Sequence, residues 1–264
     1  MAEKKYTLET LLRGLDILSL YTRELPELTL TEITKATQLN KTTVYRILTT
    51  LENAGYLIRN YDTKRYRPGL KVLQLGFASI SSLEVRQVAR RYLELLSRKV
   101  GETVSLSVLD GGDIIYVDRV RNQRIVGVVL GLGSRLPAHC ASMGKAMLAH
   151  LPPPELDDYL ARAVLEPCTT NTLIDRQDLE AELTLVRSRG FATNDEELEM
   201  GLRAVAAPIW DNSNRVVAAV NITGSSSSIS KERMEGELAD AVCQTAAEIS
   251  QALGYMEGVT LFEP

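Results

Sequence analysis

The sequence predicts an α+β chain: a winged helix-turn-helix head, a linker helix, and a body built on a mostly antiparallel sheet. Three observations carry this. Two amphipathic helical stretches meet at a tight connection and are followed by a basic hairpin. From Thr103 the apolar period changes to two. Strands, a block of helices and strands again then follow in that order, as an α+β body requires. The expected divisions are 1–70 for the head, 71–100 for linker helices and 101–264 for the body.

Met1–Tyr6 reads as a loose tail. Leu8, Leu11, Leu12, Leu15 and Leu18 keep helical spacing, giving a first helix expected to pack behind the next two. After a connector at Glu24–Leu28, Thr29 can cap a short helix over Leu30–Thr37, and Gln38-Leu39-Asn40 is the tight turn. Such turns often carry Gly; here the place is held by Gln38. Asn40 caps the next helix, in which Val44, Ile47, Leu48 and Leu51 form one apolar stripe, and Gly55 lies just past its end. The opposite side carries Thr42, Arg46, Thr49 and Asn53, with Lys41 and Thr43 near the start and Tyr45 beside Arg46. A cationic, hydroxyl-rich face with no acid suits a DNA major groove. Tyr56–Asn60 and Arg65–Arg67 read as the strands of a wing that brings Lys64, Arg65 and Arg67 near phosphates.

Pro68-Gly69 breaks the chain, Leu70–Phe77 reads as a short helix, and about Leu83–Val100 as a longer linking helix. Val104, Leu106 and Val108 alternate with polar residues, Asp110-Gly111-Gly112 turns, and Ile114–Val120 returns. Arg124–Leu130 reads as a third strand. Helices are expected over Ala141–His150, which Pro152-Pro153-Pro154 stops, then over Glu155–Ala163 and Asp175–Arg189. Strands follow over Phe191–Thr193, Arg203–Trp210 and Arg215–Thr223. Ser225–Ser228 reads as a linker, and Ser230–Leu253 as a final helix.

The net charge of −4 is unevenly divided. Residues 1–70 hold 11 Lys+Arg against 8 Asp+Glu, whereas residues 71–264 hold 19 against 26. Residues 38–71 alone hold 7 basic and 2 acidic residues. A basic head on an acidic body is the result, and local charge governs phosphate affinity. Cys140, Cys168 and Cys243 are odd in number and widely spaced, neither a disulfide framework nor a zinc pattern. Arg13 and Asp16 interrupt the leucine-rich start, so no signal peptide or membrane span is expected, and the expected location is the cytoplasm.

The chemistry of an enzyme is not indicated. Gly144-Lys145 suggests a P-loop, but His139 stands where the first Gly belongs and Ala146 replaces the Ser/Thr. Gly131-Leu132-Gly133 lacks a third glycine, since Leu136 stands there. His139-Cys140, read as adjacent strand residues, point to opposite faces and do not pair as base and nucleophile. Asp195-Glu196-Glu197 reads as a solvated run or as partners of a nearby Arg. No catalytic residue, metal site or cofactor is expected.

The stretches TEITKATQLNKTTVYRILTTLENAGYL, RLPAHCASMGKAMLAHLP, DEELEMGLRAVAAPIWD and AAVNITG together resemble the IclR family of bacterial transcriptional regulators. The resemblance spans nearly the whole chain. It implies a GAF-like effector-binding body and homodimers or tetramers acting as repressors or activators on double-stranded DNA. It places the ligand at Ser142 and Met143 on the helix start, at Asn194, at Ala204 after Gly-Leu-Arg, and at Asn221 and Thr223 on the last strand. Some members hold Cys, Ser and Ser at the last three sites, and this chain differs at all of them. Free N–H groups near Ser142–Gly144 favour a carboxylate, and Asn221 and Thr223, two apart on a strand, face one side. The implied effector is a small organic acid. The segment RIVGVVLGLGSRLPAHCASMGKAMLA resembles the branch that senses aromatic acids of the protocatechuate and 4-hydroxybenzoate type, with short 2-oxo acids as the other choice. Lys145 reads as a surface charge or a support behind the site. Two-fold dimers imply a pseudo-palindromic operator. The alternative is a GAF-like sensor or enzyme whose winged helix serves protein contacts.

Overall fold

The computed structural model describes residues 7–22, 25–81, 83–121 and 131–256. The tail read at Met1–Tyr6 and the strand read at Arg124–Leu130 lie outside them. The chain divides into two compact units, Met1–Ser82 and Leu83–Pro264.

The first unit runs α1 (Glu9–Ser19), β1 (Leu28–Thr29), α2 (Leu30–Thr37), α3 (Lys41–Asn53), β2 (Leu57–Arg59), β3 (Arg65–Pro68) and α4 (Leu70–Ser81). Thr29 and Glu32 close a reciprocal capping box on α2, with Glu32 Oε2 accepting from the Thr29 N–H at 2.7 Å. Gln38 takes a left-handed conformation (φ 55°), which explains why Gly is favoured in such turns. Asn40 Oδ1 caps α3 by accepting from the Thr43 N–H at 2.8 Å. Val44 and Leu48 are fully buried, each contributing about 2 kcal/mol. The wing has a third strand that the sequence reading missed: β1, only two residues long, pairs antiparallel with β3, as β2 does.

The first helix packs against α2 and α3 as expected, but through another face than the leucine stripe. Leu8, Leu11, Leu12 and Leu15 are exposed, and α1 buries Gly14 and Ile17 instead. Gly14 faces Ile47 of α3, with room there for one added carbon at ordinary contact distance. The leucine face is left outward.

The second unit begins with α5 (Glu84–Val100), which is no free linker: Ala89, Leu93 and Leu96 belong to the core of the body. Then come β4 (Thr103–Asp110), β5 (Asp113–Val120), β6 (Arg135–Pro137), α6 (Ser142–Leu148), α7 (Pro153–Arg162), α8 (Arg176–Arg189), β7 (Ala192–Asp195), β8 (Leu202–Trp210) and β9 (Val216–Ser225). The chain closes with α9 (Lys231–Arg233), a π-helical turn Met234–Leu238 and α10 (Ala239–Ala252), so the expected final helix carries an interruption. The prolines after α6 begin α7 rather than only ending α6, because Pro tolerates the first helical turn.

The six strands form an antiparallel sheet in the order β6-β5-β4-β9-β8-β7. Alternation along β4, β8 and β9 sends Val104, Leu106, Val205, Val220 and Ile222 to one face, where α5 and α10 cover them. The other face packs Ala206 and Ala219 under α6, with α8 behind through Leu179 and Leu183. His139 and Cys140 are not on a strand. They sit in a 3-10 turn, Ala138–Cys140, where His139 Nε2 lies 3.0 Å from the Glu166 carbonyl and both side chains are buried. No helix among the described residues is long and apolar enough to cross a membrane.

Candidate functional site

A cavity of about 340 Å³ opens between α6, the end of β7 and the face of the sheet opposite α5. All six effector positions expected from the sequence line it: Ser142, Met143, Asn194, Ala204, Asn221 and Thr223. The register explains how segments far apart in sequence converge. Thr103 on β4 stands opposite Thr223 on β9, which faces Ala204 on β8, which faces Asn194 on β7. One row along, Ser105 stands opposite Asn221 on one side and Arg119 on the other.

Arg119 and Tyr116 also line the cavity, and the sequence reading missed both. A regular strand would place residues 116 and 118 on one face. Here Tyr116 pairs with Ser107 and Asp118 with Leu106, leaving Val117 as a bulge. The bulge shifts the alternation by one, so Tyr116 and Arg119 share the cavity face while Asp118 turns to α5 and meets Arg90 at 2.6 Å. Burial pulls the Arg119 guanidinium down from its ordinary value, though Arg stays cationic in proteins. The guanidinium stands 5.9 Å from the centre of the Tyr116 ring. Burial pushes the Tyr116 hydroxyl up to about 12, so it remains a neutral donor.

The polar wall is mostly satisfied internally. Asn194 Nδ2 donates to the Cys140 carbonyl, and Asn194 Oδ1 accepts from the Glu197 N–H at 3.2 Å. Ser107 donates to Met143 Sδ at 3.2 Å, fixing that side chain. Asn221 Nδ2 donates to Thr223 Oγ1 at 2.7 Å, whereas Asn221 Oδ1, in a residue only 3% exposed, has no hydrogen-bond partner among the described residues. An orphaned buried acceptor of this kind costs free energy until a donor meets it.

Behind this wall lies an ion pair that decides between the two readings of Lys145: it is a buried support behind the site and not a surface charge. The Lys145 side chain is 1% exposed, and its Nζ donates to both oxygens of Glu197 at 2.6 and 2.7 Å. α6 is enclosed along its length, so its lysine meets protein rather than water. The neighbouring acids follow the expected pattern: Asp195 pairs with Arg203 at 2.6 Å and also with Lys231.

In the head, Lys41, Thr42, Tyr45 and Arg46 are exposed on α3. Thr43 and Thr49 are half-buried, and Thr49 donates to the Tyr45 carbonyl at 2.9 Å. Lys64 and Arg67 are exposed on the wing. Arg65 is half-buried, donating to the Glu27 carbonyl at 3.0 Å and lying 3.5 Å from Glu32, so much of its charge is already engaged. Among the described residues no group of three His, Cys, Asp or Glu is placed to hold a metal ion.

Two family profiles match the chain: bacterial transcriptional regulator IclR C-terminal over residues 77–251, and IclR helix-turn-helix domain over residues 10–60. The HTH-type transcriptional regulator XynR of Escherichia coli (strain K12) is 33% identical over 243 residues, covering 92% of this chain and 96% of XynR. The Pca regulon regulatory protein of Pseudomonas putida is 36% identical over 227 residues, covering 86% of this chain and 77% of its own. The crystal structure of a candidate transcriptional regulator from Rhodococcus sp. RHA1 matches with a TM-score of 0.80 and 39% identity, over 94% of this chain and 99% of that one. Head and body are thus both accounted for, and the chain belongs to the IclR family of DNA-binding transcriptional regulators, not to an enzyme family.

Proposed function

We propose that this regulator, acting in the cytoplasm, binds a small aromatic acid in the body and reads a pseudo-palindromic operator with paired heads. One observation carries the effector reading: the cavity that gathers the six expected residues also holds the cation of Arg119 and the unpaired Asn221 Oδ1. A carboxylate suits the first and a ligand hydroxyl or N–H suits the second. Tyr116, Leu136 and Met143 supply apolar wall for a ring. The volume lies near the lower end of the roughly 300–1,000 Å³ usual for small-molecule sites. The likeness to the Pca regulon regulatory protein points the same way.

The test is thermal denaturation against 4-hydroxybenzoate, protocatechuate and short 2-oxo acids, because a ligand of the native state raises the melting temperature by mass action. An aromatic acid should give the largest rise. Arg119→Met should weaken its binding by about 10- to 100-fold, the scale of one charge-assisted hydrogen bond. If no acid raises the melting temperature, or the variant binds as well as the parent, the effector reading fails.

The DNA-reading residues are Lys41, Thr42, Tyr45 and Arg46 of α3, with Thr43 and Thr49 beside them, and Lys64 and Arg67 of the wing, with Arg65 supporting it. Arg46→Ala should weaken operator binding by about 1–3 kcal/mol more than random-duplex binding, the range of a side chain that contacts a base edge. Lys64→Ala should weaken all sequences alike and reduce the slope of log K against log salt by about 1. Fluorescence anisotropy over a salt series separates the two, and equal losses on both duplexes for Arg46→Ala would remove it from base reading. The outward leucines of α1 support a homodimer or a tetramer built from such pairs, because a contiguous apolar face is covered more often than left in water.

A further inference from the structure

We propose that Cys140 and Cys168 form a paired oxidation site that closes to an intrachain disulfide when the protein meets a hydroperoxide. The two sulfurs lie 3.3 Å apart although the residues are 28 positions apart in sequence. Both are held in place. Cys140 ends the turn Ala138–Cys140, and its carbonyl accepts from Asn194 Nδ2. The Cys168 N–H donates to Thr172 Oγ1 at 3.0 Å, and Thr172 Oγ1 donates to the Glu197 carbonyl at 2.6 Å. The same short segment, Asn194–Glu197, therefore anchors both cysteines. Cys243 stands apart, its thiol 3.7 Å from the Gly190 carbonyl.

The division of labour follows from exposure. Cys168 is exposed and Cys140 is buried. Burial pushes the Cys140 thiol up, which keeps it protonated. Cys168, as thiolate, attacks one peroxide oxygen, the O–O bond breaks, and Cys168 becomes a sulfenic acid as hydroxide leaves and takes up the proton that Cys168 had lost. Cys140 sulfur then attacks the sulfenic sulfur. Its own proton leaves with the hydroxyl as a second water, and the S–S bond forms. Two thiols are oxidised and one peroxide is reduced. The bond braces the turn that precedes Ser142, whichever acid the cavity takes.

The experiment treats reduced full-length protein with equimolar hydrogen peroxide, then alkylates after unfolding and maps peptides without reduction. The expected result is an intact mass, read before alkylation, lower by about 2 Da than that of the reduced protein, a Cys140–Cys168 linked peptide, and full reversal by dithiothreitol. Cys243→Ser, which leaves both partners in place, should behave as the parent does. In Cys140→Ser the link should vanish, and Cys168 should instead be trapped by a sulfenic-acid reagent. Recovery of Cys140 as alkylated thiol beside an over-oxidised Cys168 would overturn the proposal, as would a link made through Cys243 or between two chains.

Discussion

Gly144→Ala should destabilise the body by about 3 kcal/mol or more, the upper range of steric overpacking. A Cβ built on Gly144 would stand 2.1 Å from the carbonyl oxygen of Ala138 and 2.5 Å from its Cα. Those are backbone atoms, and they cannot swing aside as the tip of a long side chain would. Ala138 is itself pinned, because its N–H donates to the Gly112 carbonyl at 3.0 Å, tying the turn to the β4–β5 hairpin. The collision can be relieved only by sliding α6 away from that turn, which opens the cavity wall at Ser142 and Met143. Urea denaturation followed by circular dichroism measures the loss. Gly112→Ala, whose added carbon would meet nothing within 4 Å, is the control and should stay within about 0.5 kcal/mol of the parent. Equal stability of the two variants would show that α6 does not depend on this close approach.

The glycine in Gly-Lys-Ala was visible in the sequence, but its reason was not: a contact six residues back depends on the 3-10 turn, and no periodicity announces that turn. The head was the more legible part. Its helices carry side-chain caps at Thr29 and Asn40, and their apolar stripes are the residues that become buried. What failed there was the direction of α1, since a leucine stripe reports that some face will be covered and not by what. In the body, strand alternation gave the sheet and the side of Asn221 and Thr223. It missed Arg119, because one bulged residue reverses the parity of everything beyond it. It also missed the closeness of Cys140 to Cys168, which is a product of tertiary folding alone.

Lys145→Met should destabilise the body by about 3–5 kcal/mol at neutral pH, because it strands the Glu197 carboxylate in a buried site. Glu182 does not share that fate: it keeps Arg189 at 2.7 Å, whereas Lys145 reaches it only at 3.9 Å. The pH dependence gives the sharper test. In the parent, burial is the largest influence on Glu197 and raises its carboxyl above the ordinary range, while Lys145 opposes that rise. Removing the lysine removes the opposition, so the carboxyl rises further. A group whose folded pKa lies above its unfolded pKa favours the fold below the unfolded value, and that contribution is lost as pH rises through the folded value. The variant's deficit should therefore be widest at neutral and alkaline pH and shrink as the solution is acidified towards the ordinary Glu range. Adding Glu197→Leu should recover most of the loss and flatten the pH profile, since an apolar pair of similar volume often replaces a buried ion pair at little cost. Urea midpoints of the parent, the single variant and the double variant at several pH values measure this. Additive losses in the double variant, or a deficit that grows on acidification, would show that the pair is not coupled. Because the Glu197 N–H also donates to Asn194 Oδ1, an unpaired Glu197 loosens a residue of the cavity wall, so stability and ligand binding should fall together in the single variant and recover together in the double.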